Sequence, residues 1–527
     1  MRINILYSAS ATFFISLPLA GLAQNKQKPN VLIIMTDQQR WDAMRCAGNL
    51  EISTPNLDRI AREGVMFINA YSACPVSVPA RTAILTGRTI FNNKVLGNSD
   101  SESDSVPKFQ TFDMVLSSNG YHTEYYGKYH SPYQFAQLYN NVVKTTNKSK
   151  FSTAPTSLDG FRTYLDELGV SKTKTSKNQL IDKMSLRPYN PAPVDLRYNE
   201  VEEDENIKQK VKVSQGENFG TFEGNDKASL AAYEGQEALD ALHKLNTDQP
   251  FSLTCSFGPP HPPFVVPQKY AEMYKLQNIK PSESINDKLL NAPYTLSNVP
   301  TDARFANAEM NKHMKLIYYA MISQVDEWVG KLLDELDKKG LTKNTIVLFV
   351  SDHGEMLGDH GLVSKMKMYE GSAHIPLLIR YPGVIPEGKK VDTPVSHHDI
   401  FATILDYTNM RVPENDGRSL RKLIEGKKDV VDYAVSVWGA INNGGPFMIR
   451  KGDWKMIVYL QMGDKKPRNI SALYNLKTDP LEINNLIGLN PEKSNYTKIT
   501  SQLKQTLRVW MFKTKTPYTN ELDKTTL

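Results

Sequence analysis

Several stretches of the chain carry almost no polar residue. Asn30–Met35, Phe251–Phe257, Asn344–Val350 and Ile375–Arg380 are short, dominated by apolar side chains, and end abruptly in polar or Pro-containing segments. Such runs fit strands buried on both faces of a mainly parallel sheet. Val65–Tyr71 reads as a further strand. Between these runs the apolar positions recur with helical spacing. Asn56–Gly64 and Phe112–Gly120 read as short helices stopped by glycine, and Ala228–Leu245 as an amphipathic one. His313–Gly340 contains a long helix with Ile317, Met321, Val325, Val329, Leu332 and Leu336 near one face. A helix also opens at His397-His398-Asp399 and runs through Leu405.

Beyond about Asp429 the pattern changes to short strands, at Ala434–Trp438, Phe447–Arg450, Trp454–Tyr459 and Leu473–Leu476, closed by a helix over Tyr496–Phe512. The expected architecture is α/β. A mixed, mainly parallel sheet sandwiched by helices spans 24–428, and a smaller α+β subdomain on an antiparallel sheet spans 429–527. Periodicity fades over 141–227, which holds Pro188, Pro191, Pro193 and the acidic run Glu200–Glu205. This is loop or insertion composition, and such a segment either shapes substrate access or has no role.

Two of the apolar strands end alike. One runs into Thr36-Asp37-Gln38, the other into Ser351-Asp352-His353. Ligands of open α/β sheets bind at the carboxyl ends of strands. Two carboxylates, an amide and an imidazole gathered there suit a hard cation such as Ca²⁺ or Mg²⁺, and the imidazole also admits Mn²⁺ or Zn²⁺. A third feature is Ser77-Val-Pro-Ala-Arg81, continuing through Thr82-Ala-Ile-Leu-Thr-Gly-Arg88. Pro79 suits a first helical turn, and Gly87 suits its end. Ser77 then sits at or just before a helix N-terminus, where N–H donors attract anions, with Arg81 one turn on. Read alone, it is equally an N-capping serine beside a surface arginine.

Lys128 and His130 are two residues apart, so on a strand they would share a face. His261 lies among four prolines in Gly258-Pro-Pro-His-Pro-Pro-Phe264, a rigid loop that suits an acid/base imidazole. Each of these residues, taken singly, also reads as an ordinary surface position.

The 527 residues suffice for one large core or two domains, and a net charge of +6 mildly favours anionic ligands. No basic block or nucleic-acid motif appears. Residues 1–23 read as a signal peptide: Arg2, an apolar run through Leu19, then Gly21-Leu22-Ala23. The run is too short and broken for a membrane span, so export to a periplasm or beyond is expected. Cys46, Cys74 and Cys255 fit no metal motif, and buried free thiols are expected.

The Ser77–Arg88 stretch resembles the signature of type I sulfatases, in which the first residue, Cys or Ser, is oxidised to formylglycine. The resemblance extends from roughly Asn30 to Leu486 and leaves 141–227 uncovered. It implies an alkaline-phosphatase-like fold, a formylglycine-generating maturase as partner, and Ca²⁺ ahead of Mg²⁺ or Mn²⁺. It implies Asp37, Gln38, Ser77, Asp352 and His353 around the metal, with Gln38 replacing the aspartate that most members carry. It further implies that Lys128, His130 and Lys365 contact sulfate and the residue-77 oxygens, Lys365 being preferred over Lys367. Arg81 then holds the aldehyde and its surroundings, and His261 protonates the leaving alcohol. The expected activity is secreted sulfate-ester hydrolysis on a sulfated carbohydrate such as a glycosaminoglycan, mucin or algal glycan. Alternatives are a phosphodiesterase or phosphonate monoester hydrolase of the same fold, or a silent protein that binds sulfated glycans.

Overall fold

A computed structural model of the protein describes residues 27–102, 109–133, 225–262, 264–294, 307–439, 444–461 and 469–527, with a few positions between, among them 186–187 and 219–222. The expected signal peptide and most of the 141–227 insertion lie outside the described residues. The central elements are β1 (Asn30–Thr36), α1 (Pro55–Arg62), β2 (Val65–Phe67), α2 (Ser77–Thr86), α3 (Phe112–Ser118) and β3 (His122–Gly127). They continue with α4 (Leu230–Lys244), β4 (Phe251–Ser256), α5 (Ala308–Lys338), β5 (Thr345–Ser351), β6 (Leu377–Arg380), β7 (Lys389–Val391) and α6 (His398–Tyr407).

The seven strands form one sheet in the order β7-β2-β6-β5-β1-β4-β3. β3, β4, β1 and β5 are parallel to one another, and β6 runs antiparallel to both its neighbours. Alternate residues of β1 serve opposite cores. Val31, Ile33 and Met35 pack with Phe112, Leu116 and Ile400, while Leu32 and Ile34 pack with Leu57, Leu242, Val329 and Leu332. That is why β1 is apolar throughout. Each such buried Leu or Ile contributes about 1.5–3 kcal/mol relative to exposure.

The register of the sheet prepares the site. Thr36 is level with Ser351, Met35 with Ser256, and Gly127 with Ser256. The next residue of each chain therefore emerges at one edge: Asp37, Asp352, Phe257 and Lys128. Gly127 is needed there, because its φ is +89° and a Cβ would lie 1.9 Å from the Ser256 carbonyl oxygen.

The run Val65–Tyr71 is not one strand. β2 ends at Phe67, and Ala70–Tyr71 crosses to a second sheet between His374–Ile375 and Val395–Ser396. The polar Asn69 between them binds the Asp392 carbonyl, so the chain changes sheets at a point that hydrophobicity does not mark. Lys128 and His130 also depart from expectation. The strand stops at Gly127, and His130 has a left-handed φ of 47°, so they share no strand face.

A four-stranded antiparallel sheet follows: β8 (Tyr433–Val437), β9 (Gly445–Lys451), β10 (Trp454–Leu460) and β11 (Ala472–Asn475). α7 (Thr497–Lys513) covers it through Leu503, Leu507 and Met511. Cys74 and Val76 join the same apolar cluster, and Val437 N–H donates to the Ala73 carbonyl at 3.0 Å. The C-terminal sheet thus buttresses the loop that delivers Ser77. All three cysteines are free thiols. Among the described residues no helix is long and apolar enough to cross a membrane.

Candidate active site

Ser77 is the first residue of α2, and Val76 occupies the N-cap position with no side-chain cap bond. The hydroxyl is therefore not an ordinary cap. Ser77 Oγ lies 3.1 Å from His353 Nε2 and 3.5 Å from Asp37 Oδ2, although the residues are 276 and 40 positions apart in sequence. Ser77 is 1% exposed.

Asp37, Asp352 and His353 each place a ligating atom within 4.8 Å of the others, all fully buried. His353 Nε2 is 3.6 Å from Asp352 Oδ1 and 3.9 Å from Asp37 Oδ1. Burial pulls the imidazole down to about 4, against the opposing pull of Asp352. It is thus neutral at neutral pH. Its Nδ1 donates to the Gly354 carbonyl at 2.9 Å, which leaves a lone pair on Nε2 pointing into the cluster. Asp37 Oδ1 is buried with no hydrogen-bond partner. An orphaned carboxylate oxygen, a second carboxylate and an imidazole lone pair around Ser77 Oγ fit a divalent cation.

Cations of the chain hold the carboxylates apart. Arg81, 1% exposed, donates from Nε to Asp352 Oδ2 at 2.8 Å and from Nη2 to Asp37 Oδ2 at 3.3 Å. Its Nη1 binds the Lys128 carbonyl at 2.6 Å and Ser256 Oγ at 2.9 Å. Arg81 therefore ties four strand ends together. Lys128 Nζ donates to Asp37 Oδ2. Burial opposes ionisation of Asp37, but Lys128, Arg81 and Lys365 outweigh it and hold the carboxyl well below its usual range.

Lys365 Nζ lies 2.6 Å from Gln38 Oε1 and 2.8 Å from His261 Nε2. Burial lowers the Lys365 ammonium to about 8. His261 is held well below its ordinary range by burial and then by Lys365, and its Nδ1 donates to the Pro262 carbonyl at 2.7 Å. Lys367 instead turns to the carbonyls of Val363 and Lys365. His130 is buried, its Nδ1 has no hydrogen-bond partner, and burial followed by Lys128 and Arg81 keeps it neutral.

Gln38 lies beside the carboxylate–imidazole group. Its amide oxygen takes the Lys365 ammonium and its amide nitrogen donates to Glu355. Its backbone N–H donates to Asp352 Oδ1 at 3.0 Å.

Three supporting residues escape sequence reasoning. Glu355 also accepts from the N–H groups of Leu357 and Ser364, pinning the segment before Lys365. His397 accepts from Ala73 N–H at 3.3 Å and donates to the Ser351 carbonyl at 2.9 Å, linking the Ser77 loop to the β5 tip. Glu234 of α4 accepts the Gly258 N–H at 2.8 Å, at the start of the His261 loop. Glu355 follows the Asp-His pair directly, which is a usable signal. The other two carry none, because their partners are distant in the chain.

A mainly parallel sheet between helix layers, with cation ligands on adjacent strand tips and a hydroxyl at a helix start, defines an alkaline-phosphatase-like hydrolase. The sequence profile of the sulfatase family matches residues 29–410, and that of the N-sulphoglucosamine sulphohydrolase C-terminal region matches 358–512. The chain belongs to the sulfatase family and is a sulfuric ester hydrolase. It is 30% identical over 478 residues to an arylsulfatase of Clostridium perfringens, covering 88% of this chain and 90% of that one. An N-acetylglucosamine-6-O-sulfatase of Bacteroides thetaiotaomicron is 28% identical, with 96% and 91% covered. Among solved structures, a phosphonate monoester hydrolase of Agrobacterium radiobacter superposes with a TM-score of 0.67 at 21% identity, over 92% of this chain and 96% of that chain. At that identity it speaks to the fold alone.

Proposed function

We propose that the protein is an exported sulfatase that removes a sulfate ester from a sulfated carbohydrate, with Ser77 matured to formylglycine by a dedicated maturase. The observation that carries this reading is the position of Ser77 Oγ, 3.1 Å from His353 Nε2 and beside Asp37. The carbohydrate substrate is supported by the likeness to an N-acetylglucosamine-6-O-sulfatase over nearly the whole chain.

Formylglycine would supply a hydrated aldehyde as nucleophile, and Asp37, Asp352, His353 and residue 77 would hold a divalent cation that offers charge to a sulfate oxygen. The residues of the chain do the rest. Lys128 and Lys365 offer ammonium groups to the remaining sulfate oxygens. Lys365 and His261 share a hydrogen bond between two nitrogens, so the pair stores one proton beside the leaving alcohol. Neutral His130 would take the proton of the remaining residue-77 hydroxyl while the C–O bond to the sulfate breaks and sulfate leaves with its electron pair, which would restore the aldehyde. Arg81 keeps Asp37 and Asp352 oriented throughout. Family resemblance favours Ca²⁺. The imidazole donor and the engaged Gln38 amide move the balance towards Mn²⁺, and reconstitution with each ion ranks them.

Mass spectrometry of the Ser77 peptide from a maturase-containing host is expected to show loss of two hydrogens, and activity should track that fraction. Full sulfatase activity with intact serine would overturn the scheme. The second reading is hydrolysis of phosphorus esters, since the same fold also serves a phosphonate monoester hydrolase. Rates on paired aryl sulfate and aryl phosphonate esters separate the two.

A further inference from the structure

A cavity of about 370 Å³ lies between the main sheet and the C-terminal sheet, lined among others by Trp41, Met66, His374, Lys390, Arg450 and Leu476. None of its lining residues belongs to the candidate active site. Its aromatic wall is ordered: Trp41 stacks on His374 with ring centroids 4.4 Å apart and 12° between planes, and Tyr71 stacks on His374 at 4.8 Å. His374 Nδ1 is fixed to Glu370 Oε2 at 2.7 Å.

The charges around the cavity do not balance in contact. Glu370 is saturated: Lys455 Nζ binds Oε1 at 2.8 Å, and His374 and the Tyr71 hydroxyl take Oε2. Lys455 also pairs with Glu482 at 2.8 Å. Arg450 forms no direct ion pair with the described residues, although its charge acts on Glu370 from nearby. It is 6% exposed, it lines the cavity, and its Nε and Nη1 have no hydrogen-bond partner. Among the described residues no carboxylate lies within ion-pair distance of it. A buried guanidinium with two free N–H donors is costly unless something accepts from it. Exposed Lys390 adds a second positive charge at the same cavity. The planar fork of Arg450 matches a sulfate or carboxylate, and Trp41 offers a flat apolar surface to whatever carries that anion.

We propose that this cavity is a second binding site, for an acidic saccharide unit, with Arg450 and Lys390 taking a sulfate ester or carboxylate and Trp41 carrying the sugar ring. The site lets the protein hold an acidic unit other than the one being cleaved, and its ligand class rests on the carbohydrate reading above.

The test uses the full chain carrying Ser77→Ala and Lys365→Met, which prevents turnover and cripples the reaction site. Calorimetric titration with N-acetylglucosamine 6-sulfate, glucuronic acid, N-acetylglucosamine and inorganic sulfate should show one remaining site for one or both acidic sugars. The two acidic sugars distinguish a sulfate ester from a carboxylate as the preferred anion. Arg450→Met should weaken that binding at least tenfold, and Lys390→Glu and Trp41→Leu at least threefold. The last two variants cover the case in which Arg450→Met fails to fold. In the matured protein with residues 77 and 365 intact, Trp41→Leu should leave kcat on an aryl sulfate unchanged. Binding of inorganic sulfate alone, loss of all saccharide binding in the parent background, or affinity unmoved by the three variants would overturn the proposal. Any of these with turnover of sulfated sugars intact sinks only the second site. Arg450-dependent binding without such turnover sinks only the catalytic reading.

Discussion

The tips of β1 and β5 read alike in sequence and differ in space. Each is an apolar strand followed by a carboxylate and a second donor. At β5 both donors turn inward: Asp352 meets Arg81, and the lone pair of His353 faces Ser77. At β1 only Asp37 does so. Gln38 adopts a φ of 70°, donates its backbone N–H to Asp352, and spends its amide on Lys365 and Glu355. A side chain's chemistry names what it can bind, but the backbone dihedral decides where it points.

Breaking the two tips should have unequal cost. Asp352→Asn weakens a buried charge partner of Arg81 and removes a cation ligand. It should abolish measurable sulfatase activity, lower stability by about 3–5 kcal/mol, and leave the purified protein metal-free by elemental analysis. Gln38→Ala should keep metal content within about twofold, since the amide is already bonded to Lys365 and Glu355, while lowering kcat/KM at least tenfold by freeing Lys365. Loss of the metal in Gln38→Ala would restore Gln38 to the ligand set.

The pH response sharpens the same contrast. Lys365 loses its proton as pH rises through about 8, so catalysis that needs the ammonium should fall on that limb. Protonation of His353 Nε2 as pH falls towards about 4 should release the cation. Lys365→Met should abolish the alkaline limb and move the acid one upward, because the Lys365 charge helps to hold His353 down.

The smallest effect is expected at Glu234, whose carboxyl burial pushes up to about 8. It is already mostly neutral at pH 7, so Glu234→Gln keeps an acceptor for Gly258 N–H. It should change kcat/KM less than threefold, whereas Glu234→Leu loosens the His261 loop and lowers it further.

Much of this was legible beforehand for a physical reason. β1, β4 and β5 are covered on both faces, so their apolar runs are unbroken, and the residues that follow them must emerge at one edge. The Pro-rich loop singled out His261, and the resemblance to sulfatases preferred Lys365 over Lys367. The change of sheet at Asn69, the left-handed His130 and the side-chain direction of Gln38 were not legible, since each depends on single dihedral angles. His397 and Glu234 were hidden because what they hold lies far away in the chain: His397 reaches Ala73 324 residues earlier, and Glu234 reaches Gly258 across a separate strand.

Ser77 has almost no contact with solvent and forms the opening turn of α2, against His353 and behind a loop whose Cys74 and Val76 are packed on the C-terminal sheet. An enzyme that acts on a side chain must grip several residues of extended backbone around it, and the native fold presents none there. On the maturation proposed above, oxidation of Ser77 would have to act before the chain folds. A molecule that folded first would keep its serine, and the active fraction of a preparation would record the order of the two events.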